Sequence, residues 1–239
     1  MDAAQSPTIR LFVATRNRHK LQEIGDILGS QIHCVGLQDL PNAPTTVEDR
    51  PTFTGNAAKK ASELADWLSG VGAMHASGGN LSGQFVLADD SGLEVDHLSG
   101  APGVHSARFA ALDGDDGEEE IKNSPDEANN QKLLRLLERV PLPKRRARFR
   151  CVLAIIEIAP AGTLPATQVF EGSCEGHIDF TPRGARGFGY DPLFVPEGHE
   201  QSFAELGEDV KNRISHRSKA LLKLRAWLDS RNVASSSTS

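Results

Sequence analysis

No stretch of this sequence stays apolar for long enough to span a membrane. Its opening, Met1-Asp-Ala-Ala-Gln-Ser-Pro7, carries no apolar signal core. Cysteine is scarce: Cys34, Cys151 and Cys174 are odd in number and lack metal-site spacing, which fits a reduced protein of the cytoplasm. A basic excess is also missing. Lys and Arg number 26 against 32 Asp and Glu, a net charge of −6. Binding along a nucleic acid needs a basic face, so neither nucleic acid nor membrane is an expected partner, and a nucleotide would have to meet a local basic pocket. No internal repeat is visible. What remains is 239 residues with 38% hydrophobic and 24% charged side chains, enough to bury a sizeable core.

The periodicity alternates between strand and helix. Ile9 to Ala14 reads as a short apolar strand, and Lys20 to Leu28 as a helix with Leu21, Ile24, Ile27 and Leu28 on one face. A strand over His33 to Leu37, a helix over Asn56 to Leu68, and a Gly- and Ser-rich loop over Gly70 to Gly83 follow. Asp113 to Glu120 is an acidic run, Glu127 to Val140 is helical, and Arg148 to Ile158 and Gln168 to Ile178 read as paired strands. Ser215 begins a last helix with Leu221, Leu224 and Leu228 on one face. The pattern is α/β, one domain with an antiparallel element in its second half. Residues 1–8 and the tail at 231–239, small and polar, are expected to be disordered.

Four segments could carry chemistry. In Val86-Leu-Ala-Asp-Asp-Ser-Gly92 an apolar strand ends on Asp89 and Asp90, and Ser91 with Gly92 is expected to turn the backbone. Neighbouring side chains on a strand face opposite ways, so the two carboxylates cannot share one role. One can serve a divalent metal or act as general base; the alternative is a turn in which both only bond local backbone. Thr15, Arg16, Asn17, Arg18, His19 and Lys20 span the step from first strand to first helix. Helix N-terminal N–H groups and the Lys20 charge favour a phosphate there, although the glycines of a P-loop are missing; the alternative is an ordinary polar turn.

In Gly184 to Pro192, glycines around Phe188 and Tyr190 allow close backbone approach and leave aromatic faces free to stack on a base, unless an aromatic plugs the core instead. Lys211 to Arg217 gathers Lys211, His216 and Arg217 where Ser215 can cap a helix, with donors suited to purine acceptors; the alternative is a solvated basic turn. Lys144-Arg-Arg-Ala-Arg148 leads straight into a strand and reads as a solvated strand entry.

Taken in order, TRNRHK, TFTGNAAKKA, ADDSGLEVD followed by GAPGVHSAR, GFGYDP, and ISHR resemble the inosine triphosphate pyrophosphatase family over nearly the whole chain, from Leu11 to about Leu228. The resemblance implies a central mixed sheet flanked by helices, with a nucleotide cleft between two lobes, in a domain over residues 9–230. It implies hydrolysis of non-canonical purine nucleoside triphosphates (ITP, dITP, XTP) to monophosphate and pyrophosphate, with Mg2+ and in a homodimer. Asp90 would be catalytic base and metal ligand, Ser91 would touch substrate, and Thr15 to Lys20 would hold the phosphates. Phe188, Gly189, Tyr190 and Asp191, with Lys211, His216 and Arg217, would form the base pocket. One departure stands out. The family's helix motif often has a glutamate that helps hold the metal where this chain has Gly55, leaving Asp89, Glu48 or water for that place. The competing functions are a related pyrophosphatase acting on other modified or ordinary nucleotides, and a non-catalytic nucleotide sensor. The intact Asp-Asp pair argues against the sensor.

Overall fold

A computed structural model describes residues 9–70, 81, 83–113, 123–158 and 166–236. Most of the Gly- and Ser-rich stretch, most of the acidic run, the first eight residues and the last three lie outside these. The described strands form one six-stranded mixed sheet in the order β2-β1-β3-β4-β5-β6, so the α/β class with flanking helices is borne out. The chain forms two compact units. The first takes in the described residues up to Asp90, Val152–Glu171, and those from Ala220 onward; the second is Ser91–Cys151 and Gly172–Lys219.

In the first unit β1 (Ile9–Val13) runs parallel to both β2 (Ile32–Gly36) and β3 (Phe85–Val95), with Leu11 opposite Cys34 and Phe85. A parallel strand covered on both faces must be apolar throughout, and Leu11, Phe12 and Val13 are all buried. Helix α1 (Arg18–Leu28) is capped by Asn17, whose Oδ1 accepts from Lys20 N, and buries Ile24 and Leu28. Helix α2 (Phe53–Ser69) starts at Thr52, whose Oγ1 accepts from Gly55 N. Its buried stripe is Phe53, Ala57, Ala61, Leu64, Ala65 and Leu68, at the spacing expected of one helical face, and it also contains Asn56 and Lys60.

The second unit holds the remaining halves of β3, of β4 (Arg146–Glu157) and of β5 (Gln168–Ile178). It adds β6 (Phe194–Pro196), antiparallel to β5 with His177 opposite Val195. Helices α3 (Asp126–Leu136), α4 (Phe203–Leu206) and α5 (Glu208–Ile214) belong to it, and α6 (His216–Ser236) starts in it. Its core includes Leu93, Val95, Leu133, Phe149, Tyr190 and Phe194. The Phe149 ring lies 4.7 Å from Phe194.

Three local expectations fail. Ser91 and Gly92 do not turn: β3 runs through them to Val95, because Leu93 and Val95 bury fully in the second core and hold the chain extended. Helix α6 continues to Ser236, into the stretch read as a polar tail. Arg145 is not solvated; it is 2% exposed. Its guanidinium donates to the carbonyls of Val140 (2.9 Å), Leu137 (2.7 Å) and Asp179 (2.8 Å). Leu137 follows the last residue of α3 and its carbonyl also accepts from Val140 N at 2.9 Å, so the cation fastens the turn that leaves the helix.

Arg145→Met removes those donors and takes that partner from the Val140 and Asp179 carbonyls, each costing ~1–3 kcal/mol, so a loss of at least ~2 kcal/mol is expected in urea unfolding. The exposed neighbour Arg146→Met is expected to stay within ~0.5 kcal/mol of wild type in the same measurement. Equal effects would show that Arg145 holds nothing.

Candidate active site

Asp89 and Asp90 sit in mid-strand, 2% and 5% exposed. Their opposed directions bring them to different partners. Lys20, from α1, places its Nζ 2.6 Å from Asp89 Oδ1. Lys60, from α2, donates to Asp90 Oδ1 at 2.9 Å, to Glu48 Oε1 at 2.9 Å and to the Asp89 carbonyl at 2.8 Å. Asn56 Nδ2 donates to Asp90 Oδ2 at 3.3 Å. Burial pushes the Asp90 carboxyl above the ordinary carboxylate range and Glu48 adds to this, against the pull of Lys60 and Lys20. Burial works against the charge on Lys60, but Asp90 and Glu48 outweigh it and hold that ammonium above its ordinary value. The result is a buried carboxylate with a raised proton affinity beside fixed cations, a combination suited to general-base chemistry on a polyanion.

The segment from Thr15 to Lys20 is largely committed to shaping α1. Thr15 Oγ1 accepts from Asn17 N at 3.1 Å, Asn17 caps the helix, and Arg16 reaches the Ala43 carbonyl at 3.3 Å. Arg18 and His19 are exposed. Lys20 is tied to Asp89, so its removal would take a cation from a buried carboxylate as well as from the phosphate segment.

A separate cluster belongs to the second unit. Lys211 Nζ donates to Asp191 Oδ2 at 2.7 Å, and the same oxygen accepts from Phe188 N at 2.9 Å. The Lys211 ammonium stands 4.4 Å from the centre of the Phe188 ring and the Arg217 guanidinium 5.8 Å. Arg217 Nη2 approaches Ser91 Oγ at 3.5 Å. Gly187 needs to be glycine: its φ is +77°, and a Cβ there would collide with the Asp191 carboxylate. Ser215 Oγ accepts from Ser218 N at 3.1 Å, the cap expected at the start of α6.

One expectation here needs correction. The Tyr190 ring is not free to stack. It is a core residue whose hydroxyl donates to the Ser106 carbonyl at 2.9 Å, and burial pushes its pKa up. His216 lies face to face with Phe149, ring centres 4.8 Å apart, so its ring plane is set by the core. Phe188 is half-buried, with the Lys211 and Arg217 cations over its ring.

Sequence reasoning missed Lys60 and Asn56 as site residues. The available signal was their place, four apart, inside the apolar stripe of α2, where a lysine has no reason to be unless a partner waits for it. At Gly55 an added Cβ would lie 2.9 Å from Arg50 Cβ, so this helix start is packed around glycine. Among the described residues no group of three or more His, Cys, Asp or Glu is arranged to hold a metal ion. The oxygen donors of Asp90 and Glu48 nevertheless suit a hard cation that keeps waters and shares substrate phosphates, which is how Mg2+ is commonly bound.

A model of the Ham1 family matches residues 11–227. A protein from Opitutus terrae named dITP/XTP pyrophosphatase is 41% identical over 226 residues, covering 92% of this chain and 98% of the relative. Another of that name, from Desulforamulus reducens, is 45% identical over 218 residues, covering 90% and 93%. Among solved structures, the Ham1 protein of Staphylococcus aureus aligns with a TM-score of 0.70 at 32% identity, covering 93% of this chain and 99% of that one. A HAM1 protein from Coxiella burnetii aligns at 0.72 and 34%, with the same coverage.

The raised Asp90 carboxyl makes stability depend on pH. A carboxyl that binds its proton more tightly when folded stabilises fully below its unfolded pKa, and that contribution is lost as pH rises through the folded value. Asp90→Asn is therefore expected to raise Tm at pH 7, with the gain shrinking toward pH 3. A lower Tm at pH 7 would mean that the Lys60 pairing outweighs the burial of Asp90.

Proposed function

The chain belongs to the Ham1 family, and on that premise we propose that it hydrolyses ITP, dITP and XTP to the monophosphate and pyrophosphate. The names of the relatives support the substrate class, and the observation that carries the chemistry is Asp90, buried between Asn56 and Lys60 with its proton affinity raised. In this reading Asp90 accepts the proton of a water as the water oxygen bonds to the α-phosphorus. The bond from that phosphorus to the bridging oxygen of the β-phosphate breaks in line, and pyrophosphate departs with its electron pair. Lys20 and Lys60 meet the charge that develops, and the N-terminus of α1 adds the positive end of its dipole.

A divalent ion, which we take to be Mg2+, would be held by Asp90 with Glu48 or Asp89 and would neutralise phosphate charge. The purine end falls to Phe188 for stacking and to Lys211, Arg217 and His216 for donors. Those donors suit a 6-keto oxygen. The amino group of adenine would face them donor to donor, at ~1–3 kcal/mol for each one left unpaired. Excluding ATP is thus simpler than excluding GTP. We also take the protein to work as a homodimer in the cytoplasm, without nucleic acid or membrane as partner; light scattering tests the dimer. Among the described residues no helix is long and apolar enough to cross a membrane.

Pyrophosphate release from ITP, GTP, dTTP and ATP in parallel tests this function. ITP should be preferred; preference for GTP or dTTP points to a related pyrophosphatase, and binding without turnover to a sensor. Arg217→Ala should lower kcat/KM for ITP about tenfold and change ATP far less, narrowing their ratio. Because Arg217 is buried, Arg217→Lys and a Tm measurement accompany it. An equal drop for both nucleotides would leave Arg217 a structural role only.

A further inference from the structure

Gly189, next to Phe188, is gripped on both of its backbone polar groups by one helix. Its N–H donates to Asp126 Oδ2 at 2.6 Å, and its carbonyl accepts from Asn130 Nδ2 at 3.0 Å. Asp126 and Asn130 stand four apart at the start of α3, hence on one face. Neither is occupied with the ordinary work of that position. The N-cap of α3 is Pro125, and no side chain caps the helix, so the Asp126 carboxylate reaches out to the glycine. Asn130 is 8% exposed, and its Oδ1 is buried without a donor among the described residues. Keeping a buried amide that orphans its own oxygen is costly, and what the amide retains is its bond to Gly189.

The residues on either side are held as well. Phe188 N donates to Asp191 Oδ2, and Tyr190 Oη donates to the Ser106 carbonyl. Ser106 Oγ in turn accepts from Leu93 N at 2.9 Å, on β3. Gly189 lies at φ +63°, yet an added Cβ would meet nothing within 4 Å. Both polar groups of Gly189 are held by side chains of α3.

We propose that Asp126 and Asn130 are positioning residues that clamp Gly189 and thereby fix the Phe188 ring for stacking on the purine. The proposal rests on the reading of Phe188 as the base platform. The clamp acts at the base end of the substrate, and the phosphate end is held by residues of other elements. Loosening it should weaken nucleotide binding without touching either the attacking group or the grip on pyrophosphate.

The test separates acceptance of the Gly189 N–H from the charge of Asp126 at the helix start. Asp126→Ala deletes both, whereas Asp126→Asn keeps an acceptor oxygen and deletes only the charge. Asp126→Ala and Asn130→Ala should each raise KM for ITP about tenfold, with kcat within about threefold of wild type. Competitive inhibition by IMP should weaken by the same factor, and inhibition by inorganic pyrophosphate should not change. Asp126→Asn should stay within about twofold of wild type on every count. Amide hydrogen exchange at Gly189, which needs no substrate, should speed up in Asp126→Ala and not in Asp126→Asn. If Asp126→Asn is as impaired as Asp126→Ala, or if kcat falls while KM holds, or if Gly189 exchange is unmoved, the clamp is rejected. If wild type does not turn over ITP, the proposed function fails, and the exchange result still decides whether α3 grips the glycine.

Discussion

Two adjacent carboxylates buried in the middle of a strand are the constraint on which the first unit depends. Taking Asp89 and Asp90 out of water is tolerable only with compensation, and their opposite directions mean that no single group can provide it. Each face of the strand therefore needs its own cation. On one side α1 begins where Lys20 can reach Asp89; on the other, α2 carries Asn56 and Lys60 on its inward stripe and so meets Asp90. Glu48 then joins Lys60, giving that ammonium three oxygen partners. Because helix positions follow from these pairings, the arrangement is stiff where a reaction needs stiffness.

The second unit repeats the solution with different pieces. Lys211 is buried against Asp191, Arg145 against three carbonyls, and Lys132 against the Phe109 carbonyl at 2.6 Å with its ammonium 4.3 Å from that ring. In each case a cation enters the interior because fixed oxygens await it, and each then organises backbone that has no regular ladder to join. The loop from Gly184 to Pro192 shows the outcome. Gly187 makes room for the Asp191 carboxylate, which binds both Phe188 N and Lys211, so an irregular segment presents one aromatic ring in a set place. A carboxylate cluster rich in cations and an aromatic flanked by donors are what a phosphate chain and a purine respectively require.

Where local pattern decides, the sequence could be read directly. The apolar run from Ile9 to Val13, the helical stripe behind Asn17 and the second of the long strands, Gln168–Ile178, follow from periodicity that short-range sterics impose. Reading failed where a distant partner overrides a local habit. Asp-Ser-Gly favours a turn in isolation, but Leu93 and Val95 belong to a core and pull the strand straight through it. The run Lys144 to Arg148 looks uniformly solvated, yet one of its arginines is the most completely enclosed charge of the segment, because the turn after α3 presents the Leu137 and Val140 carbonyls to it. Tyr190 and Phe188 look equivalent in the sequence, yet Tyr190 is a core ring bonded to the Ser106 carbonyl while Phe188 is half-buried beneath cations.

By itself, then, the sequence determined the α/β class, the order of the chemical segments, and the residue types that could meet phosphate and purine, since these depend on spacing and on intrinsic side-chain chemistry. The tertiary structure alone decided the pairings: which aspartate meets which lysine, that Lys60 stands between Asp90 and Glu48, and that α3 rather than a neighbour in the chain holds Gly189. The physical reason is that a buried charge or an irregular backbone group takes its partner from whatever the fold brings within about 3 Å, and that proximity has no period along the chain.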